Sequence, residues 1–219
     1  MAFLVCGEFW WCKWSAESWF MRHSPLNAAL YLFEASMRIE HFYKVDNARI
    51  IADLSDDNKH RVSLTIPLLD RSTNKTLCII GQNPSKANQL CADKTLHFLE
   101  RFVYERMPQY SKIVMLNLYT RFDTAKEFKV DLLRLDSERK VRRILKENTD
   151  FLLVFGKLKN QGGYKFPKKF SHFKHHLMGK NNYIIGVDGI NDYAPHPGNK
   201  DIYYGNYTYS PRRVNVEEL

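Results

Sequence analysis

Four polar interruptions of apolar runs carry the residue types that could do chemistry. The first is Gly81-Gln82-Asn83-Pro84-Ser85, where glycine permits a tight turn, proline stiffens it and Asn83 presents a short amide. The second is Asn117 within Met115-Leu116-Asn117-Leu118-Tyr119-Thr120-Arg121, a side-chain amide among apolar neighbours that needs hydrogen-bond partners. The third is Gly156, closing Phe151-Leu152-Leu153-Val154-Phe155-Gly156-Lys157, where a ligand or backbone can approach closely. The fourth is His196, held between Pro195 and Pro197 and followed by Gly198. These are hydrogen-bonding groups suited to holding a ligand. No phosphate-binding glycine loop, metal triad or serine in a nucleophile elbow accompanies them. Taken singly, each has an ordinary role: Asn83 as a turn former, Asn117 as a strand-capping amide, His196 as a loop residue.

The elements that must position them read as an alternation. From Thr76, short apolar runs (76–80, 112–118, 150–155, 182–187) alternate with helix-like stretches (93–107, 137–145, 167–177). That pattern predicts a three-layer α/β/α fold with a central, mainly parallel four-stranded sheet, whose ligands bind beyond the carboxyl ends of the strands. All four polar interruptions follow those strands. Residues 1–70 read as an elaboration in front of a core spanning 71–219. The elaboration has an aromatic-rich start, a helix opened by Ser24-Pro25 and running to Met37, and a strand pair at 48–54 and 61–69 across Ser55-Asp56-Asp57-Asn58. At 219 residues and 44% hydrophobic content, one domain plus an appendage is expected.

The charge balance, 33 Lys plus Arg against 24 Asp plus Glu and a net +9, favours a polyanionic partner such as nucleic acid. It is concentrated: 157–180 holds seven lysines, three histidines and no acidic residue, interleaved with Tyr164, Phe166, Phe170 and Phe173. Those rings could stack on bases or belong to the core. Four cysteines without a Cys-x-x-Cys spacing argue against zinc or an iron-sulfur cluster, and Cys78 reads as a small buried hydrophobe. No run reaches the ~18 apolar residues of a membrane span, so no membrane contact and a cytoplasmic location are expected.

In their order, the four interruptions resemble those of the uracil-DNA glycosylase superfamily: a Gly-Gln-Asp-Pro-Tyr-type loop, a Leu-Asn-x-x-Leu-Thr-type segment, a Leu-Leu-Trp-Gly-type strand and a His-Pro-Ser-type loop. More closely, Gly81 to Ser85, Asp93-x-Thr95, Asn117 to Arg121 and Gly156 resemble domain-of-unknown-function family 1643, over roughly Arg61 to Pro211. The resemblance implies hydrolysis of the N-glycosidic bond of a base flipped from single- or double-stranded DNA, with no cofactor. It implies that Asn83 positions water, Asn117 reads the pyrimidine edge and His196 donates to a base oxygen. Gly81, Gln82, Pro84, Ser85, Tyr119 and Gly156 then shape the pocket, with Tyr119, Phe98 or another aromatic stacking on the base. Lys86, Arg121, Lys157, Lys159, Lys168 and Lys169 become the phosphate contacts.

Two departures bear on chemistry. Asn83 stands where the most active uracil enzymes carry Asp, and an amide cannot accept a proton. Ser85 stands where they carry a tyrosine that blocks C5 of the pyrimidine, which opens the site to 5-substituted bases such as those of phage DNA. Asp93 reads first as a helix N-cap and second as the carboxylate missing at Asn83. Three alternatives stand beside glycosylase activity. They are a nucleotide- or nucleic-acid-binding module, a hydrolase of small nucleosides, and a phage or defence assembly protein docking a partner through Trp10, Trp11, Trp14 and Trp19.

Overall fold

The computed structural model describes residues 39–123, 125, 126, 133–190, 192–199, 202 and 209–219. The chain divides into two units, Met1–Arg38 and Ile39–Leu219, and the description concerns the second. The expected helix to Met37 and the four tryptophans lie outside the described residues.

Seven strands form one sheet: β1 (Ile51–Leu54), β2 (Arg61–Pro67), β3 (Thr76–Gly81), β4 (Lys112–Asn117), β5 (Asp150–Leu153), β6 (Asn181–Ile185) and β7 (Pro211–Arg213), in the order β1-β2-β4-β3-β5-β6-β7. The four strands read as apolar runs are its middle, β4-β3-β5-β6, and they are mutually parallel. Their near-continuous apolar sequences, such as Leu77-Cys78-Ile79-Ile80, suit burial on both faces. The expected four-stranded sheet is therefore too small. The strand pair assigned to the elaboration joins the core instead, because β2 pairs antiparallel with β4, Leu64 opposite Met115. On the other side, β7 adds antiparallel to β6.

Alternation along the strands separates two cores. Leu77, Ile79, Ile113, Met115 and Leu152 pack with Leu96, Leu99, Phe102 and Val103 of helix α1 (Lys94–Arg106). Cys78, Ile80, Val114, Leu116, Phe151 and Leu153 pack with Val141 and Leu145 of α2 (Leu135–Glu147), and with Phe166, Phe170, Phe173 and Leu177 of α3 (Phe166–Leu177). Among the described residues, one helix on one face and two on the other make three layers. Cys78 is fully buried, as its strand position suggested. No helix among the described residues is long and apolar enough to cross a membrane.

Parallel strands end at a common edge. Asp93 caps α1, its Oδ1 accepting from the Leu96 N–H at 2.7 Å, which fixes the start of that helix beside the loop leaving β3.

Candidate functional site

Register brings the first two segments together. Gly81 and Asn117 are paired at the ends of β3 and β4. The ladder runs on past them, with the Leu118 N–H donating to Gly81 O at 2.9 Å and the Tyr119 N–H to Gln82 O at 3.0 Å. Beside them lies a cavity of about 250 Å³. Gly81, Gln82, Asn83 and Ser85 line it from the β3 loop, Asn117 from β4, Asp93 and Thr95 from the start of α1, and His196 from the loop after β6.

Each side chain has a defined task. Gln82 is spent on scaffolding: its Nε2 donates to Phe155 O and its Oε1 accepts from Lys126 Nζ, both at 2.6 Å. Asn83 donates through Nδ2 to Asp123 O at 3.4 Å, and its buried Oδ1 has no partner among the described residues. Such an acceptor is costly unless a ligand or water completes it. Asn117, 2% exposed, lines the cavity from the end of its strand.

The His196 loop is anchored by Gly156, whose N–H donates to Ala194 O at 2.7 Å. Gly156 has φ +70°, a conformation that favours glycine, and a Cβ there would sit 3.3 Å from the His196 Cβ. The Gly198 N–H donates to His196 Nδ1 at 2.9 Å, so the neutral imidazole carries its proton on Nε2. Burial lowers the His196 pKa, Asp93 opposes the lowering and Lys126 adds to it, leaving the ring neutral at pH 7. The site therefore holds a neutral histidine donor and an unpaired amide acceptor. Asp93 serves as the cap and also lines the cavity.

Several lining residues were not legible as site residues. Arg61 opens β2 and is 3% exposed, with Nη1 donating to Ala87 O. Burial brings its pKa down to about 10 against the opposing charge of Asp93. Lys126 reaches in from the segment after β4, and burial lowers its pKa too. Met115, with Leu96 and Val154, supplies apolar wall.

Other expectations are corrected. No aromatic side chain is among the described lining residues, so the expected stacking ring is absent from them. Tyr119 is 5% exposed and accepts from the Lys165 N–H at 2.9 Å, edge-on to Tyr164 and Phe166, while Phe98 lies in the core on the α1 side. Pro84 is buried but does not line the cavity, and Gly156 acts through the His196 loop. Tyr164, Phe166, Phe170 and Phe173 are core residues.

The basic segment is less continuous in space than in sequence. Lys169 is buried against Glu138, and Lys180 donates to Asn148 O at 2.8 Å and to Leu145 O, closing the end of α2. Arg121 is buried and bridges to His60. Lys86, Lys157, Lys159 and Lys168 are exposed. Lys157 and Lys159 line a groove just beyond β5, with Lys157 Nζ 4.9 Å from the Tyr193 ring centre. Among the described residues no group of three or more His, Cys, Asp or Glu is placed to hold a metal ion.

No curated protein and no solved structure matches the chain. A family model described as a protein of unknown function, DUF1643, matches residues 61–182. That span runs from the buried Arg61 through the β3, β4 and β5 ends to the first residues of β6, and covers every described cavity residue except His196. The chain belongs to the DUF1643 family.

Proposed function

We propose that this protein is a monofunctional DNA glycosylase that hydrolyses the N-glycosidic bond of a flipped pyrimidine, uracil or a 5-substituted base, and leaves an abasic site. The observation that carries this reading is the arrival of Asn83, Asn117 and His196, from three different strand ends, at one cavity. At about 250 Å³ that cavity falls below the ~300–1,000 Å³ of sites for drug-sized ligands and suits a single heterocycle.

The chemistry divides among the three. The Asn117 amide, both donor and acceptor, reads the hydrogen-bonding edge of the extruded ring. As the C1′–N bond breaks, its electron pair moves onto the base, and the Nε2–H of neutral His196 donates to the base oxygen where charge accumulates. Water adds at C1′, held by the Asn83 Oδ1 that is otherwise unpaired. Asn83 cannot take the water's proton. Asp93, the one carboxylate among the described lining residues, is the acceptor for it. Exposed Lys157, Lys159 and Lys168 follow the β5 end and contact phosphates.

The test is base release from oligonucleotides carrying uracil, hypoxanthine or 5-substituted pyrimidines, read as alkali-labile abasic sites and as free base by mass spectrometry. Release from at least one pyrimidine substrate supports the reading. Binding without release from any of them makes the site a non-catalytic nucleic-acid module, a reading favoured by the neutral amide at Asn83.

A further inference from the structure

We infer that the ring bound in this cavity carries an anionic oxygen substituent, of the carboxylate class, and that Arg61 recognises it. The identity of the ring as a pyrimidine rests on the glycosylase reading; the anionic group rests on Arg61 itself. A buried guanidinium is expensive unless its donors are satisfied. Arg61 has five N–H donors and, among the described residues, one acceptor, Ala87 O, with the Phe122 ring centre 5.8 Å away. Its Nε is buried without a partner, and it forms no ion pair with a described carboxylate. Asp93 acts on it at longer range and has already committed Oδ1 to capping α1.

The position of this cation defines what it reads. The Arg61 Nη1 bond goes to Ala87 O, and the Ala87 N–H donates to Ser85 Oγ at 3.3 Å, so Arg61 and Ser85 belong to one wall. On the glycosylase reading, Ser85, which lines the cavity, is the small residue that would leave room at the pyrimidine C5. A methyl group entering there would leave the Nε–H unpaired. A carboxylate would accept from it in a charge-assisted bond whose geometry suits the planar guanidinium.

Calorimetric titration of the full chain with free 5-carboxyuracil and free 5-methyluracil tests this directly. The expected result is tighter binding of the carboxylate by about 10- to 100-fold, the worth of a hydrogen bond to a charged group. Arg61→Met removes the difference, and Arg61→Lys keeps part of it. Should Arg61→Met fail to fold, Arg61→Lys serves in its place, and a carboxylate preference as large there as in wild type overturns the inference. Equal binding of the two bases by the wild type, or a preference that survives in folded Arg61→Met, overturns the inference. Carboxylate preference without base release from any oligonucleotide overturns glycosylase activity and leaves the anionic site standing. Base release indifferent to carboxyl or methyl does the reverse.

Discussion

Replacing Lys169 with Met should damage the fold and leave nucleic-acid binding intact. Lys169 is 8% exposed, its Nζ is bonded to Glu138, and it sits on the α3 stripe with Phe166, Phe170, Phe173 and Leu177. Removing one partner of a buried pair strands the other charge, at ~3–5 kcal/mol. Since the Glu138 side chain keeps 12% exposure, solvent relieves part of that cost and places the expectation near ~3 kcal/mol. For a domain of this size each kcal/mol moves Tm by about 2–4 °C, so the variant should melt about 6–12 °C below wild type. The double variant Lys169→Met with Glu138→Leu should recover most of the loss, because an apolar pair of similar volume is neutral or better. Calorimetry supplies the Tm values, and fluorescence anisotropy with a DNA duplex at several salt concentrations supplies the control. A Lys169→Met protein that melts like wild type but loses salt-dependent DNA affinity would refute the assignment of this lysine to the interior.

The exposed lysines should behave in the opposite way. Lys157→Ala with Lys159→Ala should leave Tm within about 1 °C and reduce the slope of log K against log salt by about 1.8, or 0.9 per phosphate contact, in the same titration. Gly198→Ala would place a Cβ 2.9 Å from His196 Nδ1 and 3.1 Å from Cε1, so the ring must shift. Base release should fall at least tenfold with little change in Tm, since Gly198 is exposed. His41 gives a pH signature: burial disfavours its charged form, but the Glu100 carboxylate at 2.5 Å and Asn88 O at 2.9 Å outweigh that and raise its pKa. A raised folded-state value adds stability that is fully present below the unfolded value of about 6.5 and lost as pH rises through the folded one. Urea titrations of wild type against His41→Gln should therefore show the wild-type advantage shrinking from pH 6 to pH 9, and an advantage constant with pH would contradict the charged pair.

The central strands were legible because burial on both faces writes an unbroken apolar run, and the helix at 94–106 because Asp93 is a cap by type and place. The sheet's extent was not. Nothing local in Arg61–Pro67 says that its partner is β4, some fifty residues on, and β7 is a three-residue Pro-Arg-Arg strand with no apolar signal. The cavity-lining residues of the turn-and-glycine motifs, Gly81, Gln82, Asn83, Ser85 and His196, were legible from their setting after strands. Arg61 was missed because it lies on a neighbouring antiparallel strand, and its place at the cavity depends on the β2–β4 pairing. Lys169 was misread for a reason the sequence does contain: it lies three residues after Phe166 and four before Phe173, on the apolar face of its helix.

The measurement that bears most directly on the central claim is the single-turnover rate of base release from one modified oligonucleotide by wild type, Asn83→Ala, Asn117→Ala and His196→Ala, with folding of each checked by Tm. The expected result is an abasic product formed by wild type, slowed at least a hundredfold in His196→Ala, about the loss for removing one donor aimed at developing charge, and at least tenfold in Asn83→Ala and Asn117→Ala, all at near wild-type stability. Product formation that persists in the folded variants, or its absence from wild type on every pyrimidine tested, would contradict the assignment of this cavity as a glycosylase site.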